Sequence, residues 1–287
     1  MSKIIVTGGC GYIGAHTTIA LIEQGYQVII FDNLSNASKD SISRIEKITG
    51  TRPELLVVDL KDQNKTTAAF EVHKDASAVI HFAAYKAVKE SVEQPLSYYE
   101  NNLFSLINTL VAQQKFGIKN FIFSSSATVY GAPESCPVTE DSPTFPSRQS
   151  GIALVEVEEM LKSSGIPMTI LRMGGLVGYN RRPGRFLAGR KNLIHANAPV
   201  NLVHLDDCIH VIWEIIQQDR WGEVFNVCAD DHPKRKEFYT FAATKMGLPV
   251  PEFSLDQTEG GKCVSNAKLK ESLSFSFQYA DPYQMVN

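Results

Sequence analysis

Five short, almost wholly apolar runs punctuate the first 125 residues, and helical periodicity fills the gaps between them. The runs are Lys3–Thr7 (KIIVT), Gln27–Phe31 (QVIIF), Glu54–Val58 (ELLVV), Ala78–Phe82 (AVIHF) and Phe121–Phe123 (FIF). A strand buried on both faces loses the apolar–polar alternation of a half-buried one, and parallel strands need a long crossover, usually a helix. The intervening segments suit that role. Gly11–Gln24 carries Ile13, Thr17, Ala20 and Leu21 at helical spacing, and Ser38–Ile48 carries Ile42, Ile45 and Ile48. Thr66–Val72 is a short helical segment and Pro95–Phe116 a long one. The pattern predicts an α/β fold, a doubly wound parallel sheet with helices on both faces.

From Pro133 to Pro146 the chain changes character. Gly131, Pro133, Pro137, Pro143 and Pro146 predict a loop. Beyond it the sequence predicts a helix at Ala153–Ser163, a strand at Met168–Leu171, helices at Asp206–Gln217 and Lys236–Met246, and a strand at Val224–Val227. We therefore expect a dinucleotide-binding Rossmann domain over 1–172. Residues 173–287 are expected to combine a smaller lobe with returning sheet elements.

Composition narrows the partners. Lys and Arg number 28 against 31 Asp and Glu, so no basic field points to nucleic acid or an anionic membrane. No apolar run approaches the roughly 18 residues of a membrane span, and the start of the chain has no secretory apolar core. The cysteines, Cys10, Cys136, Cys208, Cys228 and Cys263, are odd in number and widely spaced. A disulfide framework or a cysteine zinc site is not expected, and a cytoplasmic location is.

The strongest local signal is Thr7-Gly8-Gly9-Cys10-Gly11-Tyr12-Ile13-Gly14, which follows a strand and opens a helix. Gly8, Gly11 and Gly14 permit a tight turn and let backbone N–H groups approach a pyrophosphate at the helix N-terminus, where the dipole favours anions. Asp32 closes the second strand 18 residues beyond Gly14, where a carboxylate meets the adenosine ribose hydroxyls and repels a 2′-phosphate. The spacing thus favours NAD over NADP. Asp59 ends the third strand, at the sheet end that lines the ligand crevice in such folds, although a turn aspartate explains it equally well. His81-Phe82-Ala83-Ala84 ends the fourth with small residues suited to a close cofactor or to simple packing.

These residues resemble a known family. TGGCGYIGAHT (7–17), FDNLSN (31–36), VIHFAAYKAVKESVEQPLSYYENN (79–102) and FIFSSSATVYG (121–131) are similar to the UDP-glucose (UDP-galactose) 4-epimerases, extended short-chain dehydrogenase/reductases. The likeness covers about residues 1–146 and implies bound NAD, a Rossmann sheet and a nucleotide-sugar (UDP-sugar) partner. By position it implies that Tyr12 and Ile13 meet the pyrophosphate, Asp32, Asn33 and Asn36 the adenosine side, and Asp59 and Leu60 the adenine. Phe82, Ala83, Ala84 and Lys86 would line the central crevice, with Asn101 beside it. Ser126 would bond the substrate near its reacting carbon, with Thr128 close by. From the residues alone, Lys86 also reads as a solvated lysine, Ser126 as a turn cap, and Tyr130 as packing rather than chemistry.

The same likeness exposes a gap. In this family a Tyr-x-x-x-Lys pair on the helix after the fifth strand moves the proton while hydride passes to NAD. Here Ser150 stands where the tyrosine is expected and Leu154 where the lysine is expected. From about Ser147 onward, Ile170–Gly178 (ILRMGGLVG), Val203–Asp207 (VHLDD), Phe225–Val227 (FNV) and 261–266 (GKCVSN) resemble atypical extended members that lack the active-site tyrosine. Arg181, Arg182, Arg185 and Arg190 lie where extended members often hold nucleotide phosphates, and equally suit a solvated loop. Glu156, Glu158 and Glu159 read as an exposed helix face. His204, Asp206 and Asp207 read as a turn with an N-cap at Asp206 in preference to a metal site or proton relay. Three functions follow: a nucleotide-sugar epimerase/dehydratase-class enzyme with an impaired acid–base pair, a non-catalytic NAD- or nucleotide-binding protein, or a chimeric scaffold of two related folds. Both a monomer and a homodimer fit.

Overall fold

A computed structural model of the chain describes residues 2–85, 93–254 and 260–286. The elements begin β1 (Lys3–Thr7), α1 (Tyr12–Glu23), β2 (Gln27–Asp32), α2 (Asp40–Thr49), β3 (Glu54–Val57), α3 (Gln63–Val72), β4 (Ala78–His81), α4 (Pro95–Phe116) and β5 (Asn120–Ser126). A 3₁₀ turn at Ala127–Tyr130 leads to α5 (Gln149–Ser163), β6 (Met168–Met173), β7 (Gly175–Val177), α6 (Gly184–Leu187), β8 (Leu202–His204) and α7 (Leu205–Gln217). Then come β9 (Val224–Val227), α8 (Arg235–Lys245), α9 (Ala267–Leu273) and a 3₁₀ turn at Pro282–Met285. Seven strands form one sheet in the order β3-β2-β1-β4-β5-β6-β9, and β7 pairs with β8. The pairings from β3 to β5 are all parallel.

The chain divides into two compact units, residues 1–124, 153–170 and 220–223 in the first, and 125–152, 171–219 and 224–287 in the second. The first is built on β1–β4. Ile4, Ile5, Val6, Ile29, Ile30, Val79 and Ile80 have no exposed surface, which explains why these strands read as unbroken apolar runs. The edge strand β3 leaves Val57 exposed. Phe31 meets Phe70 of α3 edge-on at 5.3 Å, and Asp62 caps α3 by accepting the Lys65 N–H. The helix α4 starts with Pro95 in its first turn and stops at Gly117, in left-handed conformation. Thr7 is opposite Phe31 on one side and His81 on the other, so β1, β2 and β4 reach the carboxyl end of the sheet together. The strand order reverses direction at β1, and ligands bind at that switch point in sheets of this topology.

The second unit packs Val177, Val200, Leu202, Ala229, Phe238, Ala242, Met285 and Val286 into one core. Several sequence expectations change. The fifth strand runs through Ser126 instead of stopping at Phe123, because Ser124 and Ser125 are buried within it. The helix after the proline loop begins at Gln149 rather than Ala153. The cap of α7 is His204, not Asp206: β8 runs up to His204, whose Nδ1 accepts the Asp206 N–H at 3.3 Å. Asp207 is buried instead, and its carboxylate accepts the Gln278 and Tyr279 N–H groups at 2.7 and 3.1 Å.

Candidate cofactor and ligand site

The glycine turn is shaped for close approach. Gly8 has φ 66°, its N–H donates to the Phe31 carbonyl at 2.8 Å, and a β-carbon on it would lie 2.8 Å from the Ala83 nitrogen. A β-carbon on Gly14 would overlap the Gly8 carbonyl. Both positions therefore require glycine. The helix α1 opens at Gly11 with no side-chain cap, so its own side chains leave the positive helix end unfilled. Tyr12 and Ile13 form the first helical turn.

Asp32, only 6% exposed, ends β2 beside this turn. Its carboxylate accepts the Cys10 N–H at 3.0 Å and the Leu34 N–H at 2.8 Å, which fixes its orientation and leaves lone pairs for a ligand. Leu34 takes a left-handed φ of 59°, a strained choice for leucine that turns the chain sharply after Asp32. Burial, with Asp32 second, pushes the Cys10 thiol up to about 12, so this cysteine is inert as a nucleophile. Asn33 Oδ1 accepts the Ser35 N–H, and Asn36 is exposed. Asp59 accepts the Lys61 N–H at 3.0 Å, and Leu60 is buried. Phe82, buried, and Ala83 and Ala84, half-buried, follow β4, with the Phe82 N–H donating to the Thr7 carbonyl. Asn101 is buried on α4 and donates to Asn102 Oδ1 at 3.2 Å. Lys86 lies outside the described residues.

Two asparagines escaped sequence reasoning. Asn102 holds the Tyr85 backbone through both its amide groups, at 2.7 and 3.0 Å. Asn108 donates to the Leu60 and Lys61 carbonyls, both at 2.8 Å. They tether α4 to the chain after β4 and after β3. The available signal at Asn108 was an asparagine seven residues beyond Asn101, two turns along the same buried face of α4.

In the second unit Ser126 Oγ accepts the Thr128 N–H at 3.2 Å, capping the 3₁₀ turn, and Thr128 is exposed. A β-carbon on Gly151 would lie 2.8 Å from Pro146 and 3.1 Å from the Thr128 carbonyl, so α5 starts hard against this turn. Ser150 and Leu154 share one face of that helix. Tyr130 is wholly buried. Its hydroxyl donates to Asn226 Oδ1 at 2.7 Å and accepts from Arg172 at 2.9 Å, and burial pushes its pKa up. Arg172 also donates to the Glu140 carbonyl, and the Asn226 N–H to the Glu140 carboxylate. Tyr130 is thereby a structural tie. Arg181 donates to the Leu176 carbonyl and lies over the Phe186 ring, while Arg182, Arg185 and Arg190 are exposed. Glu158 is 1% exposed, so the acidic face expected on α5 is limited to Glu156 and Glu159. Among the described residues no group of three or more His, Cys, Asp or Glu is arranged to hold a metal, and no helix is long and apolar enough to cross a membrane.

A glycine turn at the switch point of a parallel sheet, backed by a buried acid at the end of β2, defines a dinucleotide-binding α/β protein. The NAD dependent epimerase/dehydratase family matches over residues 4–228, and the chain belongs to that family. It is 44% identical over 159 residues to UDP-glucose 4-epimerase of Bacillus subtilis, a match covering 55% of this chain and 47% of that protein. The Yersinia pestis UDP-glucose 4-epimerase is 45% identical over 181 residues, covering 61% and 53%. The chain spans about half the length of the curated relatives it matches. In fold the likeness runs further. The UDP-glucose-4-epimerase of Stenotrophomonas maltophila, solved with NAD and formylated UDP-arabinopyranose, superposes with a TM-score of 0.87 at 25% identity, over 100% of this chain and 96% of that one.

Proposed function

We propose that this chain holds NAD at the Gly8–Gly14 turn and Asp32, takes a nucleotide sugar at Ser126 and Thr128, and has little 4-epimerase turnover. The observation that carries the cofactor assignment is the cradle at Gly8 and Gly14, where added β-carbons would clash, beside an uncapped helix end. The turn's N–H groups would take the pyrophosphate, with Tyr12 and Ile13 in the first turn. Asp32, Asn33 and Asn36 would serve the adenosine side, and Asp59 and Leu60 the adenine. Phe82, Ala83, Ala84, Lys86 and Asn101 complete the proposed set. Residues 1–172 would supply the cofactor half and 173–287 much of the sugar half. NAD, when bound, supplies a hydride acceptor.

Ser126 would hydrogen-bond the sugar, with Thr128 beside it. The proton of the sugar hydroxyl is the difficulty. A serine at 150 is a far weaker base near neutral pH than a perturbed phenol, and a leucine at 154 offers no donor to lower a neighbour's pKa. Loss of a positioned acid–base group costs about 10²–10⁴ in rate. The binding half is thus more complete than the catalytic half, which favours NAD and sugar-nucleotide binding without efficient epimerisation. The five free cysteines fit a reducing, cytoplasmic setting.

The test is to denature the purified protein and identify the released nucleotide by mass spectrometry, then to incubate the native protein with UDP-galactose. NAD is the expected cofactor, with turnover at least about a hundredfold below the common enzyme median of roughly 10 s⁻¹. Absence of NAD sinks the cofactor assignment. Turnover within about tenfold of that median sinks the claim that Ser150 and Leu154 disable the chemistry.

A further inference from the structure

Two backbone segments far apart in sequence meet side by side in the second unit. Val138 and Val264 form a parallel bridge. The Val138 N–H donates to the Cys263 carbonyl, and the Ser265 N–H to the Val138 carbonyl, both at 2.8 Å. Asn201 fixes the later segment as well, donating to the Lys262 carbonyl at 2.7 Å and accepting the Val264 N–H at 2.8 Å. The bridge brings together one cysteine from each segment. The Cys263 N–H donates to Cys136 Sγ at 3.4 Å, across 127 positions of chain. The Cys263 β-carbon is two bonds from that nitrogen. Bringing sulfur to sulfur therefore calls for rotation of the two side chains on a backbone already held.

These are also the cysteines that solvent reaches. Cys136 is exposed and Cys263 half-buried, whereas Cys10, Cys208 and Cys228 are buried. Burial pushes all three buried thiols above the usual range. Cys228 is committed besides, its S–H donating to the Val264 carbonyl at 3.1 Å. The two accessible cysteines are not equivalent. Burial, and then the neighbouring Cys136, raise the Cys263 thiol, so Cys263 holds less thiolate than it would in the open. The thiolate is the form that attacks, and an exposed one meets a dissolved disulfide first. Cys136 is thus placed to react with solvent, and Cys263 to follow it.

We infer that Cys136 and Cys263 form a redox modification site, a dithiol that closes to a disulfide by exchange with a glutathione-type disulfide. The Cys136 thiolate attacks one sulfur of that reagent, a bond forms between them, and one glutathione thiolate leaves. Cys263 gives its proton to solvent, and its thiolate attacks the Cys136 sulfur and expels the second glutathione thiolate. Both leaving groups take up protons, so two protein thiols are oxidised and one small disulfide is reduced to two thiols. The product ties the proline loop to the segment 262–265. No nucleotide or sugar enters this inference, which stands apart from the function proposed above.

The test is to hold the native full chain in oxidised and reduced glutathione at set ratios, quench with acid, and read intact masses and non-reduced peptide maps. Expected is a product lighter by two hydrogens, without attached glutathione, in which the peptides carrying Cys136 and Cys263 are joined. Dithiothreitol should reverse it. In Cys263→Ser the exchange should stop at its first step, with glutathione on Cys136 at least about tenfold more abundant than in the wild type, where the neighbouring thiol displaces it. In Cys136→Ser, Cys263 should take up glutathione at least about tenfold more slowly than the wild type reacts. Wild-type protein that stays reduced, keeps glutathione on Cys136, or joins two chains through it overturns the inference. So does a Cys136→Ser variant that reacts at the wild-type rate. Because the closed bond spans 127 positions, the oxidised chain should melt several degrees above the reduced one. An unchanged or lower melting temperature would show that the two thiols are not placed for bonding.

Discussion

Asp32 illustrates how one carboxylate joins a turn to a strand end. It accepts two backbone N–H groups, from Cys10 and Leu34, and so fixes the glycine turn relative to the end of β2. Asp32→Ala is expected to weaken NAD and to narrow the preference for NAD over NADP, measured as the two dissociation constants. It should also destabilise the fold by about 1–3 kcal/mol, since one buried and one part-buried donor lose their acceptor. Unchanged NAD affinity and preference would end its assignment to the ribose. Tyr130 contrasts with it. Tyr130→Phe removes a hydroxyl bound to Arg172 and Asn226 and should cost about 1–3 kcal/mol in urea unfolding, with the content of released NAD unaltered. A loss of NAD without loss of stability would contradict the structural role. Asp32 was legible in the sequence because its site is local, a strand end at fixed spacing from a glycine turn. The Tyr130 tie was not, because its partners lie 42 and 96 residues away.

Among elements, legibility followed burial and length. The strands β1, β2 and β4 announced themselves because both faces are covered, and α4 matched its expected limits because Pro95 and Gly117 mark its ends. The three-residue strands β7 and β8 gave no usable pattern, since 24 residues of mixed chain separate Val177 from Leu202. At α7 the sequence pointed to aspartate as the usual cap, yet β8 runs directly into the helix and leaves His204 at that position. The helix α5 carries the sharpest prediction at this scale. Ser150→Tyr with Leu154→Lys introduces the residue types that the epimerase resemblance implies for proton transfer, on one face and one turn apart. Gly151 keeps the helix start seated on Thr128. Slow NADH formation on adding UDP-galactose, followed at 340 nm, is expected, without full epimerisation. A folded, NAD-bound double variant that forms no NADH would reduce the family likeness to a shared cofactor domain.

For the whole molecule, the Bacillus and Yersinia relatives match over 55% and 61% of the chain, while the fold likeness extends over all of it. The glycine turn was legible because its glycines and the acid at the end of β2 lie at a set spacing in one local stretch. The second unit was less legible, because its elements are tied by contacts between residues far apart in the chain. Acid stability is a property of the molecule rather than of either half. His73 is buried with neither ring nitrogen hydrogen-bonded, and Glu54 approaches it at 3.6 Å. Burial pushes its pKa below 6.5, against the opposing pull of Glu54, and burial does the same to His232. The unfolded chain therefore binds protons at both residues at a pH where the folded chain does not. Between the folded values and 6.5 the unfolded state holds more protons, so stability rises with pH. This contribution is complete above 6.5 and is lost as pH falls through the folded values. Urea midpoints measured from pH 8 to pH 5 should decline chiefly below about 6.5. His73→Phe, which places an apolar ring near Phe31 and Phe70, should flatten that decline. A wild-type midpoint that stays level to pH 5, or a slope unchanged by the substitution, would show that His73 is protonated in the folded chain.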